Sequence, residues 1–263
     1  MPNTFLPDDI PQNTGDILAD IAEEAGRLIL PFWRAGVAVE SKSDASPVTE
    51  ADRAAEALIL ARLASVFERV PVVSEEHASL HGAPERIGRR FFLVDPLDGT
   101  KAFIRQDPNF TVNIALVQDG APIVGAVVAP ASAETWFTSS SGALKRSMGG
   151  SEAWSVGVRS AKRDPLTLIS HTMKPDALEK LKAEYGFTRT QAIDSSIKLC
   201  RIAEGAADLY PRHGPTMEWD IAAAQAVLEA AGGTVMTLDG APLAYGKADA
   251  GFRNPAFVAR GLP

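Results

Sequence analysis

Two aspartates, Asp95 and Asp98, stand three residues apart in VDPLDGTKAF (94–103), directly behind the apolar run Phe91–Val94. Like charges at that spacing repel unless something positive sits between them. Carboxylates also close other apolar segments: Glu75 and Glu76 in VPVVSEEH, and Asp220 in EWDIAAA. Hard oxygen ligands at strand ends are what Mg²⁺ prefers, and the carbonyl of Leu97, between the two aspartates, offers one more. Pro96 fixes its own φ and stiffens that turn. Gly99 and Thr100 come next, followed by KAFIRQ, which can start a short helix. Backbone amides at such a start receive a phosphate oxygen, and glycine allows close approach. Metal ions beside an anion-receiving turn make a phosphoester-hydrolysing site: one acidifies a bound water and another stabilises the leaving oxygen.

Each piece alone has a plainer reading. Asp98-Gly99 is an ordinary turn signal. Asp52 reads as a capping-box acid behind Thr49. Asp220 suits the positive end of the helix that follows it, and Glu75-Glu76 fits a solvated loop. His77, His81, His171 and His213 lack zinc-like spacing. The single cysteine, Cys200 in IKLCRIA, sits in an apolar helical pattern and reads as a small buried hydrophobe.

The elements that must carry these groups are legible from periodicity. The chain has 263 residues, 46% hydrophobic and 22% charged, enough for one large domain or two small ones with a sizeable core. Its net charge of −7 argues against a general nucleic-acid or anionic-membrane surface. The proline-rich first dozen residues read as a loose arm without signal-peptide character. No apolar run approaches the roughly 20 residues that span a bilayer, and a lone cysteine suits a reducing compartment, so the expected location is cytoplasmic. DILADIAEEAGRLIL spaces Ile17, Ile21, Leu28 and Ile29 as a helix that Pro31 and Gly36 should kink or end. SKSDASPVTEAD reads as a turn-rich connection, followed by a helix with Ala55, Leu58, Ile59 and Leu63 on its apolar face.

VPVVSEEH and RRFFLVDP read as strands that end in acids. FTVNIALVQDGAPIVGAVVAP is a hairpin turning at Asp119-Gly120, and AETWFTSS continues the strands. After about Pro165 the texture changes: strands LTLIS, ADLYPR, TVMTL and PAFVAR alternate with helices DALEKLKAEYG, SSIKLCRIAEG and DIAAAQAVLEAAGG, an α/β layer. The Gly- and Ser-rich stretch 139–152 is the natural divide. It gives a metal-site α+β part over 1–150 and an α/β part over 151–263 that completes the site.

Taken together and in order, SPVTEAD, SEEH, VDPLDGT and EWDIAAA resemble the inositol monophosphatase superfamily of Mg²⁺-dependent, lithium-sensitive phosphatases, over nearly the whole chain. VDPLDGTKAFIRQDPNFTVNIALVQDGAPIVGAVVAP, SSIKLCRIAEGAADLYPRHGPTMEWD and NPAF are similar to its CysQ-type 3'(2'),5'-bisphosphate nucleotidase branch. The resemblance implies a layered αβαβα sandwich and hydrolysis of the 3'-phosphate of adenosine 3',5'-bisphosphate to AMP and phosphate; a broader inositol-, sugar- or histidinol-phosphate phosphatase is the alternative. It implies Glu75, Asp95, the Leu97 carbonyl, Asp98 and Asp220 as ligands of two or three Mg²⁺ ions, with Mn²⁺ able to substitute. In-line attack would come from a metal-bound water activated by Thr100 with Asp52 as its partner, without a phosphoenzyme. Asp44 is not the base. The Gly99 and Thr100 amides would receive the scissile phosphate, next to the ligands Glu75, Leu97, Asp98 and Asp220. Ser195, Ser196 and Lys198 would contact the rest of the nucleotide, and Lys42 would lie in a metal-site loop. A homodimer, lithium inhibition and peripheral attachment to the inner membrane are compatible with the resemblance. Ala102, where the branch often has Glu, the proline in LPFWR and SHTMKP (170–175) depart from the pattern without touching the ligand set.

Overall fold

The computed structural model describes residues 10–36, 40–41, 47–82, 84, 86–160 and 162–262. In chain order it runs α1 (Thr14–Ala35), β1 (Glu40–Ser41), β2 (Pro47–Val48), α2 (Glu50–Val66), β3 (Val72–Ser74), α3 (Glu75–His81), β4 (Arg90–Asp98) and α4 (Thr100–Ile104). Then come β5 (Thr111–Gln118), β6 (Ala121–Ala129), β7 (Glu134–Ser139), β8 (Gly142–Ser147), β9 (Ala153–Ser155), β10 (Thr167–Ile169), α5 (Pro175–Tyr185) and β11 (Thr190–Ala192). The chain closes with α6 (Ile197–Ala203), β12 (Leu209–Arg212), α7 (Glu218–Ala230), β13 (Thr234–Thr237) and β14 (Phe257–Arg260).

Among the described residues β3 to β9 form a seven-stranded sheet in sequence order, and β11-β10-β12-β14-β13 form a five-stranded one. Only the β3–β4 pair of the larger sheet is parallel. Side chains alternate across a strand, and β4 shows what that does. Phe92 and Val94 join one apolar cluster with Leu18, Ile29 and Ile59 of α1 and α2. Phe91 and Leu93 join another with Leu199, Ile221 and Val227 of α6 and α7. The smaller sheet divides likewise: Tyr210 and Phe257 face the α6/α7 cluster, while Leu209 and Val258 pack with Leu181 of α5. The layers are therefore α1/α2, large sheet, α6/α7, small sheet and α5, the αβαβα sandwich that the sequence implied.

The DG hairpin forms as read, with Asp119 and Gly120 at φ 53° and 80° between β5 and β6. α1 runs through Pro31 to Ala35 and stops at Gly36, as expected of that glycine, where φ is 76°. Two sequence expectations change, at the acids of VPVVSEEH and in the N-terminal arm. The strand in VPVVSEEH stops at Ser74, and the acids open α3 instead of forming a solvated loop; Glu76 is buried. Of the expected N-terminal arm, residues 1–9 lie outside the described residues, while Ile10 is buried in the α1 cluster. The stretch 139–152 contains β8, so the large sheet runs on to Ser155 before the small one starts at Thr167. Lys42 and Asp44 also lie outside the described residues.

The middle layer depends on close contact between α7 and β6. A Cβ on Gly125 would lie 2.2 Å from the Ala223 carbonyl oxygen, so only glycine fits without moving the helix. Gly125→Ala is expected to destabilise the fold by about 2–3 kcal/mol, the upper range for overpacking, with a lower Tm in calorimetry. An unchanged Tm would contradict this packing.

Candidate active site

The opening problem, two aspartates three residues apart, has a backbone solution. Residues three apart on a regular strand face opposite ways. In β4, Asp95 pairs with Asn113 but Asp98 pairs with Thr111, so the strand bulges by one residue between them. The bulge returns Asp98 to the face of Asp95, which continues the Phe91–Leu93 side toward α6 and α7. The Leu97 N–H donates to Asp95 Oδ1 at 3.0 Å and helps hold the turn.

Other elements bring further carboxylates. The third residue of α7, Asp220, accepts the Met217 N–H at 2.9 Å and so caps its own helix. The Ser196 N–H, just ahead of α6, donates to Asp98 Oδ2 at 2.6 Å. Ser196 Oγ also lies 2.8 Å from Thr111 Oγ1 and donates to Asn113 Oδ1 at 2.8 Å. Glu75 opens α3, whose next two amides, of Glu76 and His77, donate to Glu56 Oε1 of α2 at 3.0 and 3.1 Å.

These acids feel one another. Burial first, then the charges of Glu75, Asp98 and Asp220, hold Asp95 well above the usual carboxylate range. Burial, Asp98 and Glu75 do the same to Asp220. Burial pushes Asp98 up to about 6, although Lys198, the Ser196 N–H and Arg212 pull the other way. Lys198 is itself brought down to about 8, mainly by burial.

Among the described residues, no three Asp, Glu, His or Cys side chains close around one ion by themselves. The electrostatic coupling nevertheless places Glu75, Asp95, Asp98 and Asp220 in one neighbourhood. Asp95, Asp98 and Asp220 each have one oxygen tied to a backbone N–H. The donor set is all hard oxygen, and burial makes its charge costly without a cation. Both features fit Mg²⁺ or Mn²⁺, for which the Leu97 carbonyl would be a further oxygen donor.

On the other side stand Asp52 and Thr100. Asp52 is fully buried. Its Oδ2 accepts from the Thr49 N–H at 2.8 Å and the Thr49 hydroxyl at 2.5 Å, while Oδ1 accepts from Thr100 Oγ1 at 3.4 Å. Capping and a partnership with Thr100 thus coexist, one oxygen to each. Thr100 Oγ1 is also 3.2 Å from the Leu97 carbonyl. Gly99 is left-handed at φ 92°, and a Cβ there would lie 3.1 Å from the Asn109 carbonyl.

The residues expected along the rest of a substrate are nearby but engaged. Ser195 sits at φ 58°, and its Oγ accepts from the Ile197 N–H at 3.4 Å. Ser196 is buried and bonded to the Asp98 loop. Lys198 is buried too, donating to the carbonyls of Ile193 and Ser195 at 3.0 and 2.6 Å, with its Nζ 5.1 Å from the Tyr210 ring centroid. The sequence reading passed over Glu56, one helical turn after Asp52, although that spacing on one face was a usable signal. It also passed over Arg212, whose charge acts on Asp98 and Asp220 and which closes a strand in ADLYPR. The histidines form no site together: His77 and His81 stack on each other, His171 pairs with Asp194 at 3.3 Å, and His213 meets Tyr185. Cys200 is buried, as expected.

A family model described as the inositol monophosphatase family matches residues 12–259. The 3'(2'),5'-bisphosphate nucleotidase CysQ of Escherichia coli K12 is 41% identical over 244 residues, covering 92% of this chain and 97% of that protein. The crystal structure of CysQ from Bacteroides thetaiotaomicron superposes with a TM-score of 0.75 at 33% identity, covering 96% of this chain and 98% of the other. An IMPase from Thermotoga maritima gives 0.74 at 25% identity over 93% and 91%.

Proposed function

The chain belongs to the inositol monophosphatase family, and on that premise we propose that it is a metal-dependent 3'(2'),5'-bisphosphate nucleotidase. Its substrate would be adenosine 3',5'-bisphosphate, which loses the 3'-phosphate to leave AMP and phosphate. The observation that carries this reading is the identity of about 40% across nine-tenths of the chain with relatives that bear that name. No helix among the described residues is long and apolar enough to cross a membrane.

Glu75, Asp95, the Leu97 carbonyl, Asp98 and Asp220 would hold two or three Mg²⁺ ions, or Mn²⁺ in their place. When bound, they would supply positive charge to the phosphoryl oxygens and acidify water. The remaining work falls to the chain. A threonine hydroxyl is far too weak a base to act alone, so Thr100 needs an acceptor for its own proton. Asp52 Oδ1 is that acceptor, because Thr49 occupies the other oxygen and fixes the carboxylate plane. With its hydrogen turned toward Asp52, Thr100 Oγ1 presents a lone pair to a water and orients it for in-line attack. The 3.4 Å separation is long, and such bonds commonly tighten once substrate is in place. The Gly99 and Thr100 amides receive the scissile phosphate, with Gly99 supplying the left-handed turn. Lys198 and Arg212 bring positive charge toward Asp98, and the second phosphate of a bisphosphate would add value to both.

Two measurements test this. kcat/KM compared on adenosine 3',5'-bisphosphate, inositol 1-phosphate and histidinol phosphate is expected to be highest on the nucleotide; preference for either of the others overturns the substrate assignment. Asp52→Asn is expected to lower kcat by about a hundredfold or more while calorimetric Mg²⁺ binding stays as in the wild type. Near-normal kcat would remove Asp52 from the reaction.

A further inference from the structure

We propose that Glu56 is a positioning residue: its carboxylate fixes where Glu75 stands relative to Asp52 and Thr100, and so sets divalent-cation affinity without touching cation or substrate. The proposal rests on the metal-site reading above and names a group outside that ligand set.

The start of a helix leaves amides without partners, and the residue before the first turn usually serves them with its side chain. Ser74 holds that place before α3, is buried, and makes no such bond. The amides of Glu76 and His77 are instead served by one oxygen of Glu56, from a different helix and 20 residues earlier in the chain. Glu56 is only 9% exposed, so the contact is shielded from competing water. A negative charge at that end of α3 also has the favourable sign for the helix dipole.

Asp52 and Glu56 are four residues apart on α2, hence on one face and about 6 Å apart along the axis. Asp52 is fixed at one end by Thr49 and reaches Thr100; Glu56 holds the segment that begins with Glu75. One turn of α2 therefore acts as a spacer between the water-orienting pair and a cation ligand. A merely structural cap would affect stability alone. A spacer also affects how well Glu75 meets the cation, as outer partners of metal ligands generally do.

The test uses the full chain freed of metal by chelation, with Mg²⁺ as the calorimetric titrant. Glu56→Ala is expected to weaken Mg²⁺ binding by about tenfold to a hundredfold, while kcat at saturating Mg²⁺ falls by less than about threefold. Glu56→Gln retains an acceptor oxygen at the same reach and is expected to keep affinity within about threefold. Wild-type affinity in a folded Glu56→Ala protein overturns the proposal. So does a Glu56→Gln protein that binds about tenfold more weakly, and that outcome is readable even when the alanine variant does not fold. Absence of Mg²⁺ uptake by the wild type would overturn the metal-site reading itself, which separates that failure from a failure confined to Glu56.

Discussion

The carboxylates of Asp95, Asp98 and Asp220, withdrawn from water and within reach of Glu75, repel, and backbone donors around the site hold them in place. Asp95, Asp98 and Asp220 are all displaced toward the protonated form, with burial the first cause in each. In isolation such a cluster destabilises the fold. It persists because backbone donors hold single oxygens of the acids in place: the N–H groups of Leu97, Ser196 and Met217. The arrangement makes physical sense as a receptor for divalent cations, since added positive charge favours the ionised forms of Asp95, Asp98 and Asp220.

The layered fold is what lets segments so distant in sequence supply these groups. α7 brings Asp220 because Gly125 leaves room for the helix against β6. α6 holds Asp98 through Ser196 and is itself tied down at its far end. There, Arg201 and Glu204 form a network with Glu134 and Lys145 of β7 and β8, at distances of 2.6–2.7 Å, and Trp136 donates to Glu204. These ion pairs are partly buried and mutually satisfied, so they fix the helix on the sheet more firmly than isolated surface pairs would. The sandwich thus joins β4, α3, α6 and α7 at one end.

Local features were legible in the sequence because short-range physics sets them. The Asp119-Gly120 turn, the Thr49–Asp52 cap and the alternating apolar strands each follow from a few neighbouring residues. The acids proposed as ligands stood out through their types and order, reinforced by the family resemblance. What escaped depends on contacts between distant segments. Glu75-Glu76 looked like a loop because the partner that stabilises the start of α3, Glu56, lies on another helix. The bulge at Pro96-Leu97 exists only against β5. The family resemblance put Ser196 and Lys198 along the nucleotide, and the fold buries both against Asp98 and nearby carbonyls. Arg212 carried no spacing signal at all, and its proximity to the acids arises only when the small sheet packs on α6 and α7.

The central claim is that Asp95, Asp98 and Asp220, held toward their protonated forms by burial and neighbouring carboxylates, ionise fully only with a divalent cation beside them. Because their folded pKa values are raised, the protonated forms are favoured below about pH 6 for Asp98, and metal uptake there must expel protons. Calorimetric titration of Mg²⁺ into the chelated protein, in two buffers of different ionisation enthalpy, reads that exchange directly. The account predicts net proton release near pH 6, with the share due to Asp98 shrinking as the pH rises toward 8. Uptake with no proton release at either pH, or no uptake at all, would contradict it.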